Sequence, residues 1–353
     1  MTDVGIVGAG TIGLTIAWRC AQRGMSVEVH DASPGSGAST VAAGMLAPVS
    51  EAHFGEEPLL ALSLESRSRW PDFAAELGVD LGYRESGTLL VGLDAGDRAE
   101  LDRQHAFHHR LGLSAERLTP TAARRLEPLL SPRISGAVHT PGDHQVDPRR
   151  LYAALLDAAV AAGARLVPRH VEDPATVDAE RVVIAAGTHS GPLLGAAVRP
   201  VQGQILRLRG PAELGLVIRA TVAGQSVYVL PRADGEVVVG ATSAERGFDL
   251  TPRAGDTYEL LRDAIAVLPE LAEYELREYT VGLRPGTLDN APLLGPTSDP
   301  RVIAATGHYR NGILLAPVTG ELIAELLATG RTPEALIPFD PRRFPSERHS
   351  QRR

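Results

Sequence analysis

Lysine is absent from this 353-residue chain, and all 35 of its basic residues are arginine. The absence excludes a phosphate-binding loop with its lysine, a Schiff-base lysine and pyridoxal phosphate chemistry. Cysteine is nearly absent too, because Cys20 stands alone within a helical stretch. A single thiol allows neither an internal disulfide nor a thiolate metal cluster.

Aromatic residues, positive charge and long apolar runs are also scarce. Aromatics make up 4% of the chain and the formal net charge is −8, which argues against a base-stacking surface and against nucleic acid as the partner. No apolar run reaches 18 residues and no signal-peptide pattern occurs, so we expect no membrane span and a cytoplasmic enzyme. With 44% hydrophobic and 22% charged residues, the composition is that of a globular protein with one large or two medium domains.

A dinucleotide-binding pattern occupies the first 31 residues. Residues 4–7 read as a buried strand, residues 8–13 spell G-x-G-x-x-G, residues 14–23 have helical apolar spacing, and residues 26–30 read as a second strand. This order places a pyrophosphate at a helix N-terminus, where free N–H groups and the helix dipole favour negative charge. Asp31 closes the second strand, where a carboxylate can accept a hydrogen bond from a ribose hydroxyl. The pattern predicts a dinucleotide without saying which one.

The next segment, residues 32–50, is rich in small residues, so we predict a loop whose backbone approaches a flat ligand closely. Further helices are predicted over residues 58–77, 97–111, 119–127 and 148–162, and strands over residues 88–93, 165–168 and 181–187. In the second of these helices, His105, His108 and His109 are spaced as on a solvated face. We expect them at the surface and not at a metal site.

The pattern of apolar and polar residues changes at Arg199. Alternating stretches predict an antiparallel sheet that is interrupted by one helix; the stretches are residues 204–209, 226–231, 236–240 and 274–284, and the helix is residues 256–268. After a loop at residues 285–292, an apolar strand over residues 302–307 leads through a glycine-marked polar stretch into a helix from residue 313 to 329. The start of that helix is a second anion-ready helix end. The tail from Phe339 is expected to be solvated.

Six short motifs occur along the chain in a fixed order: Ala38-Ser39 with AAGMLAP at 42–48, PVQGQ at 200–204, VLPR at 229–232, GAT at 240–242, GLRPGT at 282–287 and GHYRNGIL at 307–314. In this order they resemble the FAD-dependent amine oxidases of the D-amino acid oxidase family. Within it, the similarity is to the glycine-oxidising members that serve thiamine synthesis. The resemblance covers essentially the whole chain and is far more specific than the glycine motif alone.

The resemblance implies an α/β fold with a Rossmann-like FAD-binding domain and an inserted, mostly antiparallel α+β substrate domain. We expect residues 1–83, 140–195 and 281–353 to form the discontinuous FAD-binding domain, and residues 84–139 and 196–280 the substrate domain. It also implies non-covalent FAD as the cofactor. The covalent attachment seen in sarcosine oxidases uses a cysteine late in the chain, whereas Cys20 lies in the first helix.

The residues that the resemblance assigns to FAD follow the cofactor from the pyrophosphate and ribose to the flavin and its pyrimidine edge. They are Gly8, Gly10, Thr11, Ile12, Gly13, Asp31, Ala32, Ala38, Ser39, Ala43, Gly44, Met45, Val171, Gly187, His308, Tyr309, Arg310, Asn311, Gly312, Ile313 and Leu314. For the last group there is also a physical reason. Reduced flavin carries negative charge at its pyrimidine edge, and a helix N-terminus beside Gly312 would stabilise that charge.

Arg284, Arg310 and Tyr228 are expected to bind the substrate carboxylate, because a guanidinium gives a carboxylate two parallel hydrogen bonds. A structural ion pair for Arg284 and a core position for Tyr228 are the alternatives. The implied reaction is oxidative deamination of glycine, small amines or D-amino acids. Hydride passes to flavin N5, oxygen yields hydrogen peroxide, and the imino acid serves thiazole synthesis or is hydrolysed to keto acid and ammonia. No catalytic protein base and no metal are required, provided that the neutral amine reacts.

One position departs from the pattern. Ser243 stands where the glycine-oxidising members have a methionine that lines the pocket, so the preferred amine stays open among glycine, sarcosine and D-amino acids. The alternative function is an FAD-dependent D-amino acid dehydrogenase that passes electrons to another acceptor. The expected partners are a small amino acid or amine and oxygen, with no nucleic acid and no membrane span. A homo-oligomer is expected as well.

Overall fold

The computed structural model describes residues 2–222 and 224–344. The strands in these ranges are β1 (Thr2–Val7), β2 (Val27–His30), β3 (Met45–Leu46), β4 (Thr88–Gly92), β5 (Glu116–Leu118), β6 (Gly136–Thr140), β7 (His144–Gln145), β8 (Arg165–Val167), β9 (Ala179–Ile184), β10 (Arg199–Arg209), β11 (Val217–Val222), β12 (Gln225–Pro231), β13 (Glu236–Gly240), β14 (Glu275–Gly286), β15 (Leu293–Pro296) and β16 (Val302–Thr306). The helices are α1 (Thr11–Gln22), α2 (Ala38–Val41), α3 (Glu57–Leu77), α4 (Ala95–Arg110), α5 (Pro120–Leu126), α6 (Pro148–Ala161), α7 (Ser190–Leu194), α8 (Ala254–Val267) and α9 (Ala316–Thr329).

A six-stranded sheet carries the glycine motif. Its order is β15-β16-β9-β1-β2-β8, and every neighbouring pair is parallel except β15 with β16. The apolar runs that form β1, β9 and β16 are buried, as strands covered on both faces must be. Helix α1 packs against α6 and α9, and the Cβ that a larger residue would place at Gly320 would collide with Thr15. This layer presents the start of α1 at the carboxyl edge of the sheet.

The second sheet has eight strands. Its order is β14-β10-β13-β12-β11-β4-β6-β5, and all of its pairs are antiparallel except β11 with β4. The alternation of residues 226–231 sends Val227 and Val229 into a core with α8, while Tyr228 and Leu230 pack in a cluster with Ala43 of the loop after α2. The α/β fold with an additional antiparallel sheet is confirmed. One face of the antiparallel sheet therefore contacts the loop that holds Ala43.

The structure corrects three expectations about where elements lie. The loop of residues 32–50 contains the short helix α2 and strand β3, which pairs with β7. Strand β14 continues to Gly286, because Pro285 and Gly286 pair with the start of β10. Helix α9 begins at Ala316, three residues later than expected, since residues 312–315 form turns. Gly312 therefore precedes the helix and does not mark its first turn.

Two expectations about exposure are also corrected. His108 is completely buried beside Phe107, so it does not lie on a solvated helix face, although His109 is exposed. Phe339 is buried at 2% exposure, because residues Glu334–Phe339 form a 3₁₀ turn that packs on the parallel-sheet core. Residues 340–344 are mostly half-buried, and the rest of the expected tail, residues 345–353, lies outside the described ranges.

The division into domains stays our proposal. Strands β4, β5 and β6 belong to the antiparallel sheet, and strands β8, β9, β15 and β16 belong to the parallel one, as the proposed segments require. The boundary at residue 280 falls inside β14, the long strand that pairs with β10 along its whole length.

Three features of the described residues bear on function. None of their helices is long and apolar enough to cross a membrane. No group of three or more potential metal ligands comes together among them. Cys20 is fully buried in α1, and burial raises the pKa of its thiol to about 12.

Candidate active site

A cavity of about 1200 Å³ runs from the glycine motif to the face of the antiparallel sheet. Its wall contains all three residues expected to bind substrate, Tyr228, Arg284 and Arg310. It also contains most of the residues expected to bind FAD: Gly8, Gly10, Thr11, Ile12, Asp31, Ala32, Ala38, Ser39, Ala43, Gly44, Met45, Val171, Gly187, His308, Tyr309, Gly312 and Ile313. Residues that lie far apart in the sequence therefore meet around one space.

Three residues expected at the cofactor lie outside the cavity wall. Gly13 packs so closely on the first strand that a Cβ there would overlap the carbonyl oxygen of Gly8. Leu314 turns its carbonyl oxygen towards α3, where it accepts from Ser66 Oγ at 2.6 Å and from a tryptophan indole. Asn311 is engaged in the turn, its N–H donating to the carbonyl oxygen of His308 at 2.8 Å. These three residues support the cavity wall without lining it.

The start of α1 has the form of an anion site. The helical ladder begins with Leu14 N–H donating to Gly10 O at 2.9 Å, so the amides of the first turn have no acceptor within the helix. The N–H of Thr11 donates to Ser39 Oγ at 2.9 Å, which ties the loop after β2 to the glycine turn. Ile12 lines the cavity directly above this turn. The remaining donors and the helix dipole favour a phosphate here.

Asp31 is held in place by backbone donors. Its Oδ2 accepts from Ala9 N–H at 2.7 Å, and its Oδ1 accepts from Ser33 N–H at 2.8 Å. The carboxylate thereby braces the glycine turn against the end of β2. Each carboxylate oxygen has a second lone pair, so these bonds are compatible with a further hydrogen bond from a ribose hydroxyl.

The loop between α2 and β3 is clamped from the antiparallel sheet. Gly44 has φ +86°, and a Cβ there would collide with the carbonyl oxygen of Val146. Arg232, which follows β12, donates from Nη1 to that same oxygen at 2.9 Å and from Nη2 to the carbonyl oxygen of Ala43. Burial lowers the pKa of Arg232 to about 10. A buried cation without a carboxylate partner among the described residues thus holds the backbone that lines the cavity.

The segment from His308 to Ile313 closes another side of the cavity. His308 is buried, its Nε2 lies 3.1 Å from Thr319 Oγ1, and burial lowers the pKa of its imidazole to about 3, so the ring is neutral. Tyr309 takes the left-handed conformation, with φ +49°, and its N–H donates to Pro285 O at 3.0 Å. This strained turn anchors the segment to the end of β14.

These residues fit FAD. Gly8 has φ +109°, and a side chain there would collide with the backbone of Ala185, so the wall beside the helix end stays free of side chains. The cavity is larger than the roughly 300–1,000 Å³ of a usual small-ligand site, which suits an elongated dinucleotide. Cys20 does not line it, in agreement with non-covalent binding.

Two glycines of the antiparallel sheet form a shelf for the expected substrate residues. A Cβ at Gly203 would overlap the guanidinium of Arg284, and one at Gly240 would overlap the ring of Tyr228. Both side chains therefore lie flat across the sheet, over strands β10 and β13. Arg284 Nη1 donates to Thr242 O at 3.1 Å. We name Gly203 and Gly240 the glycine shelf; the sequence alone did not point to it.

The charges at this end are largely uncompensated. Among the described residues, no carboxylate forms an ion pair with Arg284 or Arg310. Burial lowers the pKa of Arg284 and raises that of Tyr228. Arg284 is half-buried and Arg310 is exposed. Because an unpaired charge that is partly removed from water is destabilising, the arrangement at Arg284 is typical of a site that takes an anionic ligand. The structure gives Arg284 no structural ion pair, the alternative considered from the sequence.

Ser243 lies in the same wall, near Tyr309 and Arg310. Burial opposes ionisation of the Tyr309 phenol, but the charge of Arg310 and a hydrogen bond with Ser243 bring its pKa below the usual value. The position where a methionine was expected from the resemblance is therefore polar here.

Sequence reasoning missed an ion pair in the cavity wall. Arg219 Nη1 lies 2.5 Å from Glu51 Oε1, and their side chains are only 11% and 15% exposed. Both residues line the cavity, and Arg219 Nη1 also lies 3.6 Å from the sulfur of Met45. An arginine inside the otherwise apolar run of residues 217–222 was the one available signal. Nothing in the sequence connects it to a glutamate 168 residues away.

Comparison with known proteins finds a matching family and similar proteins. The sequence profile described as DAO, FAD dependent oxidoreductase, matches residues 3–326. The glycine oxidase of Geobacillus kaustophilus is 36% identical, over 96% of both chains. Its crystal structure matches with a TM-score of 0.91 at 35% identity, covering 98% of this chain and 99% of that one.

Two further similar proteins carry the name ThiO. The bifunctional protein ThiO/ThiG of Synechocystis is 33% identical over 97% of this chain, which spans only 54% of that longer protein. A protein of Rhizobium etli named for thiamine biosynthesis, ThiO, is 34% identical over 93% of this chain and 97% of its own length.

Proposed function

Since the chain belongs to the DAO family of FAD-dependent oxidoreductases, we propose that it oxidises glycine and other small amino acids or amines, with oxygen as the electron acceptor. The products are an imino acid, which hydrolyses to keto acid and ammonia, and hydrogen peroxide. The relatives named glycine oxidase support the substrate class. The residues proposed for FAD and substrate are those that line the cavity.

The observation that carries this proposal is the half-buried guanidinium of Arg284 over the glycine shelf. It has no carboxylate partner among the described residues, and the Tyr228 ring lies over the neighbouring strand. An amino acid carboxylate would supply the missing charge and take two parallel hydrogen bonds. A site that holds the carboxylate in this way fixes the position of the adjoining Cα, which is what oxidation at Cα requires.

FAD held by the residues of the cavity wall would supply the two-electron oxidation, with oxygen as the final acceptor. The protein's part is to bind and orient the substrate. Arg284 holds the carboxylate, Tyr228 donates its hydroxyl to it, and Arg310 adds a second positive charge to the wall. Positive charge in a buried site disfavours the ammonium form of the substrate, so these arginines promote loss of the amine proton to water. We assign no catalytic base.

The test is a peroxide-coupled assay on the purified holoenzyme with glycine, sarcosine and D-alanine in air. We expect hydrogen peroxide in proportion to the imino acid formed. Peroxide-free turnover that reduces only an added dye would instead indicate a dehydrogenase. The named relatives do not favour that alternative, a D-amino acid dehydrogenase.

We propose further that the imino acid serves thiazole assembly in thiamine synthesis, which the ThiO and ThiO/ThiG relatives support. A deletion strain that needs thiazole for growth would bear this out. The cytoplasmic location and the homo-oligomeric state stay predictions. Cell fractionation and light scattering of the holoenzyme test them.

A further inference from the structure

The Glu51–Arg219 ion pair lies at the substrate end of the cavity. In the register of β11 and β12, Arg219 stands directly opposite Tyr228, so the two side chains share one face of the sheet. Glu51 follows β3, and its Oε1 lies 2.5 Å from Arg219 Nη1. Both side chains are nearly buried. The function proposed above gives this pair no task.

The pair changes the charge that a substrate meets. Arg219 is neutralised by Glu51, whereas Arg284 and Arg310 have no carboxylate partner among residues 2–222 and 224–344. Burial opposes ionisation of Glu51, but Arg219 and Arg310 hold the pKa of its carboxyl below the usual value. At neutral pH the pair therefore has no net charge, and Glu51 occupies the guanidinium that Arg219 would otherwise offer to an anion.

Building on the proposed function, we propose that Glu51, held by Arg219, is a specificity-determining residue that selects amino acids with one carboxylate and rejects those with a second anionic group. A second carboxylate near this wall would lose hydration beside a guanidinium whose charge Glu51 already balances, so it would gain no ion pair in return. It would also lie near the Glu51 carboxylate, which disfavours its binding further. Without Glu51, the same carboxylate would meet the free guanidinium of Arg219. One residue thereby decides the sign of the interaction.

Sarcosine and iminodiacetate are a matched substrate pair for the test, because they differ by one carboxylate. The measured quantity is kcat/KM for iminodiacetate divided by kcat/KM for sarcosine. We expect Glu51→Gln to raise this ratio by about tenfold or more, since the unfavourable contact is replaced by attraction to the free Arg219 guanidinium. An unchanged ratio would overturn the proposal.

Glu236→Gln is the matched control. Glu236 pairs with the buried Arg207 of the same sheet but does not line the cavity, so its loss removes an equal charge without touching the substrate end. The ratio should stay at the wild-type value. A rise as large as that of Glu51→Gln would show a general charge effect and would overturn the assignment to Glu51.

Arg219→Gln provides a test of opposite sign, should Glu51→Gln fold poorly. It leaves the Glu51 carboxylate without its partner, so the ratio should fall several-fold below wild type; a rise would contradict the proposal.

Binding gives a readout that does not depend on turnover. Methoxyacetate and diglycolate are ether analogues of the two substrates, and their dissociation constants come from the change in flavin absorbance of the holoenzyme. Glu51→Gln should tighten diglycolate relative to methoxyacetate by about tenfold, which corresponds to 1.4 kcal/mol. A wild-type enzyme that makes no peroxide would refute the proposed function, while this binding comparison would still decide on Glu51.

Discussion

Arg284 shows how one side chain can be costly to the fold and necessary to the ligand. Its guanidinium lies flat over Gly203, half-buried and without a carboxylate partner among the described residues. Such a charge is tolerated where an incoming anion completes it. Sequence reasoning found this arginine through its motif. Gly203 and Gly240 lie in the motifs PVQGQ and GAT, but they stand 37 residues apart on different strands, so nothing in the sequence predicts that they form one shelf.

Replacing Arg284 tests the carboxylate site. Arg284→Gln should lower kcat/KM for glycine by roughly 10²–10³-fold, mostly through KM, because a charge-assisted bidentate contact is lost. Arg284→Lys should retain more activity than Arg284→Gln, since it keeps the charge without the fork. The bound flavin should remain in both variants. Kinetics at the wild-type level in Arg284→Gln would mean that the carboxylate binds elsewhere.

The glycine shelf predicts a second effect at residue scale. Gly203→Ala should displace the Arg284 guanidinium, because the added Cβ would occupy its place. We expect KM for glycine to rise at least about tenfold while the flavin spectrum stays that of wild type. Gly255→Ala is the control, because a Cβ there meets no atom within 4 Å. Equal kinetics in the two variants would show that the shelf does not position Arg284.

His108 links burial to pH. Burial lowers the pKa of its imidazole from 6.5 to about 4, so between these values the unfolded chain binds more protons than the folded one. The free energy of unfolding should therefore fall as the pH falls through this window. His108→Phe should make that dependence less steep by the share of one group, measured by urea unfolding at several pH values, since buried His308 contributes over the same window. His109→Phe, an exposed neighbour, should keep the wild-type slope; equal slopes in the two variants would exclude His108 as a source.

At the scale of elements, local signals predicted most of the secondary structure. Helix α6 begins where Asp147 caps it and Pro148 starts it, and both signals are visible in the sequence. Helix α2 is too short to show a period, and the start of α9 was misplaced because residues 312–315 continue the apolar pattern without helical geometry. Periodicity reports which residues are buried, not which hydrogen bonds they form.

Long-range contacts between elements could not be predicted. The Arg232 side chain reaches from the end of β12 to carbonyl oxygens of Ala43 and Val146, and these contacts span 189 and 86 residues of sequence. The VLPR motif marked the arginine as part of a resemblance, but a motif does not name the partner.

Arg232 should act as a positioning residue for the loop between α2 and β3, which lines the cavity. Arg232→Met would leave two buried carbonyl oxygens without a donor, so we expect FAD affinity to fall roughly tenfold or more. Titration of the apoprotein by flavin fluorescence measures this directly. Arg209→Met removes an exposed arginine of the same sheet that donates to Asp234 O, and it should leave FAD affinity unchanged. Equal FAD affinity in both variants would show that the clamp does not support the cofactor.

At the scale of the whole molecule, the cavity joins two sheets that have separate cores. One core surrounds α1 and α9, the other lies between the antiparallel sheet and α8, and the cavity wall draws residues from both sides. A ligand that fills the cavity from end to end must therefore couple the two layers energetically. A ligand that fills only the nucleotide end should not.

Hydrogen exchange of the apoprotein with FAD or with ADP tests this coupling. FAD at about 100 times its dissociation constant adds roughly 2.7 kcal/mol to stability. We expect it to slow local exchange both at β1 and α1 and at β14 and residues 308–313. ADP at the same multiple should add local protection only at β1, α1 and the loop that holds Ser39. Equal protection of β14 by both ligands would contradict the placement of the flavin end.

Cys20 has a practical consequence for labelling. Its thiol is fully buried in α1 and largely protonated at neutral pH, so maleimides and other thiol reagents should leave the folded chain untouched. A cysteine introduced at exposed Phe248, which stacks on His189 beside the cavity, would then be the one reactive thiol. A fluorophore there would report ligand entry from a single known position, without first replacing the native Cys20.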